Sequence, residues 1–201
     1  MKLFYTTTSP LARKCRIILR ELDLLEHTQE IITTTRSEDA LILQYNPNGM
    51  VPTLETDDGF NIVESMAICN YLEKKSNNKE FIPQEEKQYW QIYALDSIAS
   101  QTFESIVSRA RERIYKPKEF HYPDGIKHEQ GRAERSLNLL EEKSHFFVNS
   151  YNRLHVTIGL CCLVLDNVFP DEKWKESKPN LLKIYEDFKI KNSFKETIIK
   201  D

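Results

Sequence analysis

One proline limits what the middle of this chain can be. Pro52 stands in Val51-Pro52-Thr53-Leu54. Proline has no N–H to give a sheet ladder, so it belongs at a strand start or edge. Downstream, Asp57-Asp58-Gly59 separates that run from Phe60-Asn61-Ile62-Val63. Asp-Gly supplies the positive φ that a tight turn requires, so the stretch reads as a hairpin, with Leu54, Phe60 and Ile62 burying one face. Glu64-Ser65 then opens a helix from Met66 to Lys75, with Ile68, Cys69 and Leu72 on one stripe and Ser65 as its N-cap. The start of a helix presents unpaired N–H groups and positive potential, which can hold a carboxylate. Glu64 offers a negative charge to an amine. An α-amino acid carries both groups. A cis bond before Pro52 would turn the backbone of Val51 outward, where an extended peptide could pair with it as an added strand.

Upstream, Lys2-Leu3-Phe4-Tyr5 reads as a strand and Ser9-Pro10 as a helix start, Ser as N-cap and Pro at the first helical position. Leu11, Cys15, Ile18, Leu19 and Leu22 follow at helical spacing. A second strand is expected in residues 28–32, and Ser37 is expected to cap a short helix running to Gln44, ended by Asn46-Pro47-Asn48-Gly49. The order over residues 1–75 is β-α-β-α-β-β-α: a parallel pair joined by a helix, then an antiparallel hairpin, giving a mixed sheet with helices packed on it.

Residues 76–86 lose the periodicity and read as a linker, and residues 87–201 read as all helical. A long helix spans about Glu85 to Ile114. Lys116 to Gly125, with Pro117 and Pro123, reads as a loop, followed by a helix from Lys127 to about His145. Arg153 to Val168 is almost wholly apolar in its middle and is expected to be the buried centre of this domain. Pro179 starts another helix, and Ser193 is expected to cap a last short one.

The composition removes several function classes. A net charge of -3 favours neither nucleic acid nor an acidic surface. Cys15, Cys69, Cys161 and Cys162 have no metal spacing and all lie in helical patterns, which reads as buried thiols in a reducing compartment. The histidines show no metal spacing either, and no nucleophile–base motif or glycine-rich phosphate loop is present. No apolar run is long enough to span a bilayer and no signal peptide is visible, so a cytoplasmic protein is expected.

Several of these residues together resemble the cytosolic glutathione transferases. Ser9-Pro10-Leu11-Ala12-Arg13-Lys14 is similar to the Ser-Pro-x-x-Arg-Lys start of the first helix in one bacterial branch. Asn46-Pro47-Asn48-Gly49-Met50-Val51-Pro52-Thr53-Leu54 resembles the family's Asn-Pro-x-Gly-Lys-Val-Pro-x-Leu, and Glu64-Ser65 its γ-glutamyl-binding pair. Trp174, Pro179-Asn180-Leu181, Tyr185, Ser193-Phe194 and Thr197 resemble its closing pattern. Two departures stand out. Met50 replaces a common lysine that would meet the glycyl carboxylate. Asn152-Arg153-Leu154-His155 replaces Ser/Thr-x-x-Asp, so Asn152 would cap the helix and His155 would reach back to it.

The resemblance implies a thioredoxin-like domain followed by a helical glutathione-transferase domain, and an enzyme that adds glutathione to a small electrophile. Glutathione would be the co-substrate, bound by Met50, Val51, Pro52, Glu64 and Ser65, with its thiolate stabilised by the Ser9 hydroxyl and no metal involved. The electrophile would sit between the first helix and the middle of the long helix, against Leu11, Phe103 and Ile106. The resemblance also implies a homodimer, in which Asp96 could reach the partner's γ-glutamyl amine. The alternative is the same fold used as a non-catalytic scaffold, like the bacterial protein that associates with RNA polymerase under starvation. A scaffold has no need to keep Ser9, Val51-Pro52 and Glu64-Ser65 together. A thiol–disulfide enzyme of this fold would carry a cysteine at the start of the first helix, where this chain has Ser9-Pro10.

Overall fold

The computed structural model describes residues 1–198. The chain divides into one unit built from residues 1–81 together with the segment from Lys191, and a second unit, Ile82–Ile190.

The first unit is a four-stranded mixed sheet with helices on it. Strand β1 (Lys2–Tyr5) is followed by α1 (Pro10–Glu21), and β2 (Gln29–Ile32) returns parallel to β1. Then come β3 (Thr53–Glu55), β4 (Asn61–Val63) and α2 (Ser65–Lys75), giving the sheet order β2-β1-β3-β4. β3 is antiparallel to both neighbours, with Thr53 opposite Phe4 on one side and Val63 on the other. The hairpin turn closes as its residues require: Gly59 sits at φ +81°, and the Thr56 N–H donates to the Phe60 carbonyl at 2.9 Å. Phe60 departs from expectation. It is about half exposed and meets the Tyr71 ring edge-on, because it lies in the turn just before the edge strand β4 rather than on the face that buries Leu54.

Helix α1 turns Ala12, Cys15, Ile18 and Leu19 wholly inward, each of the larger two contributing about 1.5–3 kcal/mol relative to exposure. Its other face carries charge. Arg16 and Arg20 both hold the Glu30 carboxylate, at 2.6 and 2.7 Å. Burial works against the charge on Glu30, but these two hydrogen-bonded cations outweigh it and keep the carboxyl below its ordinary range. Arg13 points elsewhere in the same unit. Its Nε donates to Thr197 Oγ1 at 3.3 Å, one terminal nitrogen donates to the Phe194 carbonyl at 3.0 Å, and the guanidinium lies over the Phe194 ring. The last helix, α8 (Asn192–Glu196), therefore packs with α1, and the segment from Lys191 joins the first unit rather than the helical domain expected to run to residue 201. Ser193 is not its N-cap: it lies inside α8 and its hydroxyl donates to Glu21. The helix expected after Ser37 is only a single 3₁₀ turn, Leu41–Gln44, because the Ser37 hydroxyl goes to the Asp39 carboxylate and caps nothing.

The second unit contains α3 (Glu86–Tyr115), α4 (Pro123–Glu142), α5 (Arg153–Val168), α6 (Trp174–Ser177) and α7 (Pro179–Lys189). Helix α4 starts four residues before the expected position, since Pro123 serves as a first-turn proline rather than a loop residue. Helix α5 is buried along most of its length and packs against α3 and α7. Its capping box forms: Asn152 Oδ1 accepts the Leu154 N–H at 3.0 Å, and His155 Nδ1 accepts the Asn152 N–H at 3.2 Å. Among the described residues no single helix is long and apolar enough to cross a membrane.

Two substitutions probe this unit. Asn152→Ala should lower stability to chemical denaturation by about 1 kcal/mol, the usual worth of such a cap. An unchanged midpoint would show that α5 does not depend on it. A Cβ on Gly159 would overlap the buried Phe188 ring of α7. Gly159→Ala should therefore cost about 1–3 kcal/mol, although alanine is the better helix former. A stabilised variant would mean that α5 and α7 are free to separate.

Candidate functional site

Sheet topology brings the singled-out residues to one end of the first unit. β1 and β4 both run antiparallel to β3, so their C-terminal ends and the N-terminal end of β3 share one edge. The chain leaving β1 reaches Ser9, the chain entering β3 passes Val51-Pro52, and the chain leaving β4 reaches Glu64-Ser65.

Ser9 is the N-cap of α1, with φ -81° and ψ 111°. Its Oγ accepts the Ala12 N–H at 3.2 Å. A hydroxyl has one proton and two acceptor lone pairs, so capping uses a lone pair and leaves the proton to donate. The two readings of Ser9, cap and donor, are therefore compatible. The side chain is half-buried, so a ligand can reach it.

The chain around Val51 is organised by Asn46, which is nearly fully buried. Its amide donates to the Met50 carbonyl at 3.0 Å and to Thr53 Oγ1 at 3.2 Å, while its oxygen accepts the Asn48 N–H. Thr53 also donates to the Met50 carbonyl, at 2.9 Å. Gly49 takes φ +62°, which a side chain there would resist. The Val51–Pro52 peptide is cis. Val51 stands just outside β3, and among the described residues its backbone has no hydrogen-bond partner within the chain. Met50 is well exposed beside it.

At the head of α2 the structure corrects the expected cap. Glu64, not Ser65, is the N-cap, and Ser65 is the first helical residue. The Glu64 carboxylate accepts the N–H groups of Met66 and Ala67 at 2.9 and 3.3 Å, and the Ser65 hydroxyl donates to its other oxygen at 3.3 Å. Glu64 holds φ +76°, a region that costs a non-glycine residue about 1–3 kcal/mol. Nothing in the sequence marks that backbone angle. The capping role was open to sequence reasoning, since a carboxylate directly before a helix answers its free N–H groups and its dipole.

Other named residues lie elsewhere. Leu11 is half-buried on α1, while Phe103 and Ile106 are fully buried in the helical unit and offer no surface to an electrophile. Asp96 is likewise fully buried. It accepts from Arg153 Nε at 2.8 Å and from the Thr157 hydroxyl, a paired buried charge rather than a group free to meet an amine from outside. Three arginines also lie on α3: Arg109 is buried, stacked on Phe169 and paired with Glu172, while Arg111 and Arg113 are exposed.

Glu64→Ala and Glu64→Gly separate the two terms at this position. Alanine removes the cap and keeps the strained angle, so it should cost about 0.5–2 kcal/mol. Glycine also removes the cap but relieves the angle, so it should be the more stable variant by about 1 kcal/mol. Equal midpoints in urea would show that the angle carries no strain.

Residues 8–75 match the family described as glutathione S-transferase, N-terminal domain. An uncharacterized GST-like protein of Escherichia coli (strain K12), YibF, is 26% identical over 206 residues, spanning 98% of each chain. Among solved structures, a glutathione S-transferase of Methylobacillus flagellatus KT with glutathione bound superposes with a TM-score of 0.86 at 23% identity over 98% of each chain. A glutathione transferase family member of Pseudomonas fluorescens Pf-5, also with bound glutathione, gives 0.88 at 22% identity, over 100% of this chain and 99% of that one. The chain has the thioredoxin-like plus helical fold of these proteins, and its residues 8–75 are similar to the N-terminal domain of glutathione S-transferases.

Proposed function

We propose that the chain is a glutathione transferase whose first unit binds glutathione and activates its thiol for attack on a small electrophile. The observation that carries the reading is the Glu64-Ser65 turn, where a non-glycine residue is held at φ +76° at the head of a helix. Strain of this kind persists where the surroundings enforce it, and it gathers at binding sites. The bound glutathione in two structures of the same fold supports the ligand.

Each part of glutathione has a partner here. The γ-glutamyl carboxylate goes to the N–H of Ser65, at the positive end of α2, and the Ser65 hydroxyl turns from Glu64 to donate to it. The γ-glutamyl ammonium goes to Glu64. The peptide backbone pairs with Val51, at the mouth of β3. Met50 lies beside the glycyl end and adds no charge. The sulfur then faces the Ser9 hydroxyl, whose proton the α1 cap leaves unused.

Ser9 acts on the thiol by stabilising its ionised form. An ordinary thiol with a pKa near about 8.5 is only about 3% ionised at pH 7. A hydrogen bond to a charged sulfur is worth about 1.5–3 kcal/mol, which lowers that pKa by roughly one to two units. The thiolate fraction rises accordingly, and part of the gain is offset because a less basic thiolate is a weaker nucleophile.

Ser9→Ala should lower kcat/KM at pH 7 by about ten-fold while glutathione still binds. The thiolate absorbance of the binary complex should titrate at higher pH in the variant. Unchanged rate and unchanged titration together would show that Ser9 is a cap alone. Failure of the unmodified protein to be retained on immobilised glutathione would remove the reading as a whole.

A further inference from the structure

Two thiols that this mechanism does not use lie in the core of the first unit. Cys15 on α1 and Cys69 on α2 are fully buried, with their sulfurs 4.0 Å apart. The Cys15 thiol also contacts the Ser65 carbonyl, at 3.7 Å. The pair therefore bridges the helix that Ser9 caps and the helix that Ser65 begins, and touches the backbone of Ser65 directly. The other two cysteines, Cys161 and Cys162, are neighbours on one helix of the other unit, where the Cys161 thiol is directed at the Ala99 carbonyl.

We propose that Cys15 and Cys69 form an internal disulfide under peroxide, and that this oxidation weakens glutathione binding at the head of α2. The second half of the proposal rests on the function proposed above; the first half does not.

A disulfide needs sulfurs about 2.05 Å apart, so the two must approach by roughly 2 Å. The side chains start in contact, and side-chain rotation with a small movement of α1 against α2 supplies the rest. The Cys15 sulfur attacks the O–O bond of hydrogen peroxide, forming S–OH and releasing the first water. The Cys69 sulfur then attacks that sulfur. The S–S bond forms, the S–O bond breaks, and the hydroxide leaves with a proton as the second water. The two thiols lose two protons and two electrons, and the peroxide takes up both.

Burial, with Cys69 adding to it, pushes the Cys15 thiol well above the usual thiol range. At neutral pH the thiol is protonated and shielded, so reaction proceeds through local opening of the unit and responds to sustained rather than brief oxidant. Closure has two effects on the binding turn. The Ser65 carbonyl loses its thiol donor, and α2 is drawn towards α1 at Cys69, one turn after the residue that would meet the γ-glutamyl carboxylate.

The test is to incubate the full chain with hydrogen peroxide and read three quantities: intact mass, the cross-linked peptides, and affinity for glutathione by calorimetry. The expected result is a mass lower by about 2 Da, a Cys15–Cys69 linked peptide, and at least a ten-fold weaker affinity that dithiothreitol restores. Cys69→Ala should bind glutathione as the reduced parent does and should keep that affinity after peroxide. If that variant does not fold, Cys15→Ser serves the same purpose, and the mass measurement on the parent needs neither. Thiols that stay intact, or that advance to sulfinic acid without a cross-link, would overturn the disulfide. A cross-link with unchanged affinity would overturn its effect on the site. Absence of glutathione binding in the reduced parent would overturn the proposed function, while mass and peptide mapping would still decide the disulfide.

Discussion

The pairing of β3 with β1 is the constraint on which the site depends. Thr53 must stand opposite Phe4 and Val63, because a slip of one residue would turn Leu54 out of the core and Thr53 away from Asn46 and the Met50 carbonyl. In the observed register, the three chain segments that carry Ser9, Val51 and Glu64-Ser65 emerge at the same edge. Burial of Leu54 therefore fixes the register, and the register gathers the polar groups. Apolar and polar residues of this short stretch are answers to one geometric requirement.

Much of this could be read from the residues. Ser9-Pro10 announced α1, Asp58-Gly59 announced the hairpin, and the apolar run from Arg153 to Val168 announced the centre of the helical unit. These signals are local, and local signals survive folding because the backbone groups they satisfy lie within one turn of the chain. One unread feature is itself local, and the others depend on partners far away in sequence. Ser37 had the residue type of a cap, but Asp39 was nearby to take its hydroxyl. Asp96 had the charge to meet a ligand amine, but Arg153 and Thr157, on another helix, hold it in the interior. Phe103 and Ile106 had the apolar character of a pocket wall, which is equally the character of a core. Burial decides between those readings, and a sequence does not state burial.

Glu64 shows a third kind of limit. Its charge and its place before a helix were legible, and they suggested a group waiting for an amine. The structure gives that carboxylate a second task, closing the N–H groups of Met66 and Ala67. Ser65, relieved of capping, keeps its own backbone N–H at the positive end of the helix. Residue types placed the helix start at this pair but gave the cap to the wrong member of it. A single backbone angle, at Glu64, separates the two arrangements.

The clasp of Arg13 on Phe194 and Thr197 has a bearing on how the chain comes to be folded. The first unit is not continuous along the sequence, since the whole helical unit lies between its two pieces. On a ribosome, the strands and α1 emerge early, but Phe194 and Thr197, which the Arg13 guanidinium clasps, are made only after α7. Until then the carbonyl and ring of Phe194 are not there to receive that cation. The part of the molecule synthesised first is thus the part completed last, and its final closure reports that the intervening helices have already been made.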